Sequence, residues 1–188
     1  EGGMVITNNE CIYQKLVKYR THGITKDPKN LIDNHGGWYY EMQELGFNYR
    51  ITDVQCALGI SQFARLDTGN LRRKQIAKKY DSCFKNLPIT LTPDNEKINH
   101  AYHLYVIEVE KRLELYNYLK EKNIFSQVHY VPVNMMPYYR KLGYNPEDTP
   151  KALTYYNKCL SLPMFPGLTD EEQDCVINTI FDFHGVKN

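Results

Sequence analysis

No apolar run in the chain approaches the roughly 20 residues that a membrane-crossing helix requires, and the opening residues show no signal-peptide pattern. Neither membrane insertion nor export is therefore expected. Cysteine is sparse: Cys11, Cys56, Cys83, Cys159 and Cys175 are odd in number and widely separated, and no C-x-x-C pair occurs. That excludes a disulfide framework and the usual zinc-ligand spacings, so no metal is expected, and reduced thiols in a cytoplasmic protein are the simplest reading. Charge of one sign is also lacking. Lys and Arg number 23 against 22 Asp and Glu, with no basic tract for nucleic acid and no acidic tail. Tryptophan occurs once, against sixteen tyrosines. A tyrosine-rich chain suits a ligand cleft, and equally a core or a subunit interface. The G-x-S-x-G, H-E-x-x-H, P-loop and G-x-G-x-x-G signatures are all absent. There is no internal repeat and no low-complexity segment.

What is present is enough for a folded core: 188 residues, 42% of them hydrophobic, against a prior of about 150 residues per domain. Glu1-Gly2-Gly3 runs into the β-prone Met4-Val5-Ile6-Thr7. A natural protein seldom opens that way, so a fragment is expected, with a tag scar or processed terminus as the alternative. Residues 10–19 carry Ile12, Leu16 and Val17 at helical spacing. Residues 20–40 are rich in Gly, His, Asn and Asp and read as a long loop, which in a compact domain is usually functional or an interface element. Thr52-Asp53 is an N-cap pair for a helix over 54–66 whose apolar residues fall on most faces. Such a helix is buried on several sides, possible partners including a second subunit. Residues 67–84 read as a basic helix with Arg72, Arg73, Lys74, Lys78 and Lys79. A solvated face is favoured there over a nucleic-acid patch, because no aromatics are interleaved for base stacking.

From Leu87 the pattern is a small α/β unit: strands over 102–109 and 125–131, a helix over 111–122, and short helices over 137–142 and 151–159. Thr169-Asp170-Glu171-Glu172 is a capping box, followed by the stripe Val176, Ile177, Ile180 and Phe181. Strands alternating with helices give an α/β fold.

Three places could carry chemistry. Asn48-Tyr49-Arg50 precedes a helix start, where free N–H groups and partial positive charge attract phosphate, and an amide and a guanidinium add donors of the right kind. The alternative is that Asn48 turns the chain and Arg50 pairs with a nearby carboxylate. Gln127-Val128-His129-Tyr130-Val131-Pro132 places a histidine at a strand end, able to bind a sugar hydroxyl or shuttle a proton, although a lone histidine is more often structural. Arg20-Thr21-His22-Gly23 opens the long loop, its glycine suited to a backbone turn and its histidine to capping it. Composition and spacing go no further than an α/β domain.

Taken as a set, Glu1-Gly2-Gly3-Met4-Val5, Arg20-Thr21-His22-Gly23-Ile24, Gly46-Phe47-Asn48-Tyr49-Arg50-Ile51-Thr52-Asp53, Ala57-Leu58-Gly59, Val128-His129-Tyr130-Val131-Pro132, Pro137-Tyr138-Tyr139-Arg140 and Leu162-Pro163-Met164-Phe165-Pro166-Gly167 resemble the DegT/DnrJ/EryC1/StrS family of pyridoxal-phosphate (PLP) dependent sugar aminotransferases. The resemblance runs in order over nearly the whole chain. Within the family, residues 38–46, Trp-Tyr-Tyr-Glu-Met-Gln-Glu-Leu-Gly, are most similar to the pseudaminic-acid branch, whose members aminate C4 of a UDP-linked 4-keto-6-deoxy-N-acetylhexosamine with glutamate as donor.

The resemblance implies the C-terminal part of a fold-type-I PLP enzyme. Residues 1–50 would end the large PLP-binding domain with its interface loops, and residues 51–188 would form linking helices and the small α/β domain. It places the Schiff-base lysine just upstream of Glu1, so that the chain alone would hold no catalytic residue and be inactive. It also implies a cytoplasmic homodimer acting on a UDP-sugar and glutamate, with neither nucleic acid nor membrane as partner. Asn48 would bind the PLP phosphate of the neighbouring subunit with Arg50 nearby, and His129 and Tyr138 would line the sugar-nucleotide cleft. Asn134 stands where the family often carries a second histidine, which puts proton transfer at that position in doubt. Two rivals remain: a PLP-dependent sugar dehydratase of the same family, with histidine in place of the lysine, and a non-catalytic interaction module.

Overall fold

A computed structural model describes residues 2–93 and 98–186; Glu1 therefore lies outside the described residues. The chain divides into two compact units, one ending at Ala64 and the other beginning at Arg65. The helix after Thr52 belongs to the first, whereas the domain step expected from sequence lies at 50/51.

The first unit opens without the expected strand at residues 4–7: no ladder includes them, and Met4 and Ile6 are fully exposed. A β-prone segment needs a partner strand to bond its backbone, and none is supplied by the described residues. Helix α1 (Glu10–Tyr19) forms where its spacing predicts, started by Asn9, whose side chain accepts the Ile12 N–H. The loop that follows is pinned by a two-stranded antiparallel ribbon, β1 (Ile24–Thr25) with β2 (Glu41–Met42). Helix α2 (Asp53–Phe63) carries a complete capping box: Thr52 accepts from Gln55 N–H, and the Gln55 side chain accepts from Thr52 N–H. Its expected burial on several sides is not met within the chain. None of its residues is buried, and Val54, Leu58, Ile60 and Phe63 all stand in the open.

The second unit holds the core. Helix α3 (Leu66–Phe84) is amphipathic, not simply a solvated basic face: Ile76, Ala77, Tyr80 and Phe84 are fully buried. Its cations are used internally. Arg72 donates to Leu168 O at 2.7 Å and Asp170 at 2.8 Å, Arg73 caps the carbonyls of Tyr102, His103 and Met164, and Lys79 pairs with Asp174 at 2.6 Å. A three-stranded antiparallel sheet follows in the order β3 (Thr90–Leu91), β4 (Tyr105–Glu108), β5 (Cys159–Leu162). The strand expected over 102–109 is thus confirmed in its second half, while that expected over 125–131 shrinks to a single bridge between Gln127 and Ser161. Strand β5 went unanticipated because all four of its residues are buried, which erases the alternation that marks a half-buried strand.

Helix α4 (Arg112–Glu121) seals the sheet with Leu115 and Leu119. The short helices α5 (Pro137–Lys141) and α6 (Pro150–Lys158) each begin on proline, where the missing N–H costs nothing. Helix α7 (Asp170–Phe183) starts on the expected Thr169–Glu172 capping box and buries Val176, Ile177 and Ile180. No helix among the described residues is long and apolar enough to cross a membrane.

His184 caps the end of α7 with its Nε2 buried and unpartnered, and burial pushes its imidazole below the usual histidine value. A group whose folded value is depressed binds its proton more readily in the unfolded chain, so stability is lost as pH falls. Urea midpoints of the second unit should decline as pH drops through and below 6.5, the ordinary histidine value. His184→Phe should flatten that decline; an unchanged slope would show that His184 does not titrate with unfolding.

Candidate functional site

Asn48 is set in place by backbone, not by side-chain packing. Phe47 N–H donates to Tyr19 O at 2.7 Å, Tyr49 N–H to Arg20 O at 2.9 Å and His22 N–H to Phe47 O at 2.8 Å, around a bridge between Thr21 and Asn48. The segment is thereby laced to the C-terminal end of α1. The lacing depends on two glycines: Gly23 sits at φ +69°, and a Cβ on Gly23 or Gly46 would collide with backbone of the other segment. His22 also takes a left-handed conformation, φ 58°. The Arg20-Thr21-His22-Gly23 motif is accordingly a turn that holds the Asn48 strand.

Phe47 and Tyr49 stack with ring centroids 4.9 Å apart. Successive side chains of extended backbone alternate sides, so Asn48 faces away from that pair. Asn48 and Arg50 are both exposed. Neither side chain has a hydrogen-bond or ion-pair partner among the described residues, and no carboxylate among them pairs with Arg50. With the capped start of α2 two residues further on, an amide and a guanidinium stand uncommitted beside a helix N-terminus. That donor set fits a phosphate.

The adjoining loop is organised by Glu41. Its carboxylate accepts the backbone N–H groups of Asp33 at 2.8 Å and of Ile32 at 2.8 and 2.9 Å, with Tyr39 and Gln43 adding side-chain donors. Those N–H groups, Asp33 first, hold the Glu41 carboxyl below its usual range. Gln43 also reaches Asn30 O, and His35 stacks on Tyr39 at 4.5 Å. Trp38 remains 76% exposed.

In the second unit, His129 follows the Gln127 bridge. Gln127 exchanges both backbone bonds with Ser161, at 3.1 and 2.7 Å, and the half-buried His129 ring places Nδ1 2.8 Å from Ser161 Oγ. Its Nε2 has no protein partner among the described residues. Tyr138 lies in the first turn of α5, 68% exposed, with its ring edge-on to Tyr139 at 5.3 Å. No hydrogen bond or ring contact joins it to His129. Asn134 is occupied: its amide donates to Asn145 O at 2.7 Å and to Thr149 Oγ1 at 3.0 Å. It ties two short 3-10 turns together, a structural task that an amide performs without proton transfer. Ser161 was not anticipated; the available signal was a hydroxyl within the apolar tetrad Cys-Leu-Ser-Leu, where a buried O–H must find a partner.

The model of the DegT/DnrJ/EryC1/StrS aminotransferase family matches residues 1–181. The chain is 38% identical to the spore coat polysaccharide biosynthesis protein SpsC of Bacillus subtilis, over 97% of its own length and 49% of that protein's. It is 35% identical to the UDP-4-amino-4,6-dideoxy-N-acetyl-beta-L-altrosamine transaminase of Campylobacter jejuni, over 96% and 47% of the two lengths. Among solved structures it superposes on Spr1654 of Streptococcus pneumoniae, assigned as a sugar aminotransferase and determined in its PLP form. The TM-score is 0.84 for the apo, PMP and PLP forms of that protein alike, at 28% identity for the PLP form, covering 95% of this chain and 45% of that one. The chain spans about half the length of the curated relatives it matches. Its mixed helix-and-sheet fold is that of the PLP-dependent sugar aminotransferases over a little under half of their length.

Gly46→Ala tests the lacing around Asn48. The added Cβ must push apart backbone that cannot yield, and a loss of about 1–3 kcal/mol is expected. Thermal unfolding and the amide resonances of residues 46–50 report it; unshifted resonances would show that close approach does not position Asn48.

Proposed function

The chain belongs to the DegT/DnrJ/EryC1/StrS aminotransferase family, and on that premise we propose that it forms the C-terminal part of a PLP-dependent sugar-nucleotide aminotransferase. The reaction moves an amino group from glutamate to C4 of a UDP-linked 4-keto-6-deoxy-N-acetylhexosamine, a step toward pseudaminic acid in surface polysaccharides. The substrate follows the Campylobacter jejuni relative, whose name specifies such a transaminase. Residues 1–50 complete the large domain and residues 51–188 provide linking helices and the small domain of a cytoplasmic homodimer. The lysine that holds the cofactor lies in the half of the protein that precedes these residues.

The observation that carries this function is the pair of donors at Asn48 and Arg50, without side-chain partners among the described residues, with Asn48 held by a backbone lattice in front of α2. PLP, when bound, would supply an electron sink for the charge that develops at the substrate carbon. The residues of this chain bind and orient. Asn48 donates its amide N–H to a phosphate oxygen of the cofactor in the neighbouring subunit, and Arg50 offsets the phosphate charge. His129 and Tyr138 hold the sugar nucleotide, whose hydroxyl and phosphate oxygens match an imidazole and a phenol.

In the enzyme at its full length, Asn48→Ala should weaken PLP binding by about 10–100-fold, the worth of a hydrogen bond to a charged group. Titration of the apoenzyme, followed by cofactor absorbance, measures it. Wild-type affinity in both Asn48→Ala and Arg50→Ala would remove these residues from the cofactor site. The substrate assignment fails separately, if the wild-type enzyme with glutamate does not aminate the UDP-4-keto sugar.

A further inference from the structure

Ser161 is inside the protein, 4% exposed, on the most buried strand of the sheet. Its backbone N–H and C=O are both engaged by Gln127. Its hydroxyl has one partner among the described residues, Nδ1 of His129 at 2.8 Å. A hydroxyl and an imidazole nitrogen can share that distance in two ways. If Nδ1 carries the hydrogen, the ring donates to Ser161 Oγ, and the hydroxyl hydrogen is left in a buried place without an acceptor. Leaving a buried donor unmade costs more than a single hydrogen bond returns. If Ser161 donates to Nδ1 instead, both groups are satisfied and the ring hydrogen resides on Nε2, the nitrogen without a protein partner.

We infer that Ser161 is a positioning residue that fixes His129 as the Nε2–H tautomer, so that the neutral ring presents a hydrogen-bond donor to its ligand. The inference deepens the proposed function, on which the identity of that ligand rests. A donor at Nε2 recognises an acceptor oxygen of the sugar nucleotide, a phosphate or carbonyl oxygen, and does not withdraw a proton from it. His129 then contributes to binding, and proton transfer belongs elsewhere in the active site.

The tautomer is testable without substrate. In long-range proton–nitrogen spectra of the nitrogen-15-labelled chain, with His129 identified by its loss in His129→Gln, Nε2 should be the protonated nitrogen and Nδ1 the bare one. Ser161→Ala should lower the tautomer ratio by up to about tenfold, the worth of one hydrogen bond, and Ser161→Thr, which keeps the hydroxyl and suits a strand, should restore it. A hydrogen on Nδ1 in the wild type, or an unchanged ratio in Ser161→Ala with circular dichroism preserved, overturns the inference. Should Ser161→Ala fail to fold, the wild-type and Ser161→Thr spectra still decide.

The substrate arm uses the full-length enzyme. His129→Gln, which retains an N–H donor, should keep KM for the UDP-sugar within about threefold, while His129→Phe should raise it by about tenfold with little change in kcat. A fall in kcat common to both variants would show proton transfer at His129 and overturn the donor role. Failure of the UDP-sugar to bind at all would count against the proposed substrate while leaving the spectra intact.

Discussion

Burial of four consecutive residues in β5 is the constraint on which the second unit depends. Cys159, Leu160, Ser161 and Leu162 are each at most 4% exposed, so none of their backbone groups can look to water for a partner. Strand β4 supplies one side of the ladder, from Tyr105 opposite Leu162 to Glu108 opposite Cys159. On the other side the chain must return, and it does so at Gln127, whose two bonds to Ser161 are the whole of that pairing. Two residues later comes His129. Its position is thus a by-product of satisfying a buried strand, and the same serine that receives Gln127 turns the imidazole ring.

The first unit works by another principle. It has almost no buried side chains, and its order comes from close approach of backbone to backbone at Gly23 and Gly46 and from a carboxylate, Glu41, that gathers the N–H groups of a loop. Hydrogen bonds of this kind specify geometry more than they stabilise, each contributing about 0.5–1.5 kcal/mol net. Exposed Met4, Val5, Ile6, Val54, Leu58, Ile60 and Phe63 lie in this unit as well.

Legibility from sequence followed locality. The caps at Thr52 and Thr169 were readable because a cap and the N–H it serves lie within three residues, and the helix faces of α1 and α7 because their periodicity is internal to the segment. The Asn-Tyr-Arg segment before α2 and the histidine at the strand end could be singled out for the same reason. What escaped was non-local. Strand β5 has no alternation to detect. Arg73 shows no sign of the three carbonyls it caps from 29 to 91 residues away, and the basic run on α3 therefore resembled a solvated face. Asn134 gave no hint of Asn145 and Thr149, nor Ser161 of a histidine 32 residues earlier.

Those same committed side chains set off the ones that have no partner among the described residues. A donor that is already bonded inside the fold has little left for a ligand, and most prominent polar groups of the second unit are spent: Arg72 on Leu168 and Asp170, Lys79 on Asp174, Lys158 on Glu110, Asn134 on its two turns. Asn48 is held at its backbone while its side chain and that of Arg50 have no partner among the described residues, and His129 is bonded at one nitrogen and, among those residues, open at the other. Fixing the support of a group while leaving its functional end unpaired has no return in folding stability, since the ordering lowers entropy without a compensating contact. It does lower the entropy that a ligand must supply on binding. Preorganisation without a partner among the described residues is therefore the physical feature that supports the proposed ligand role of these residues.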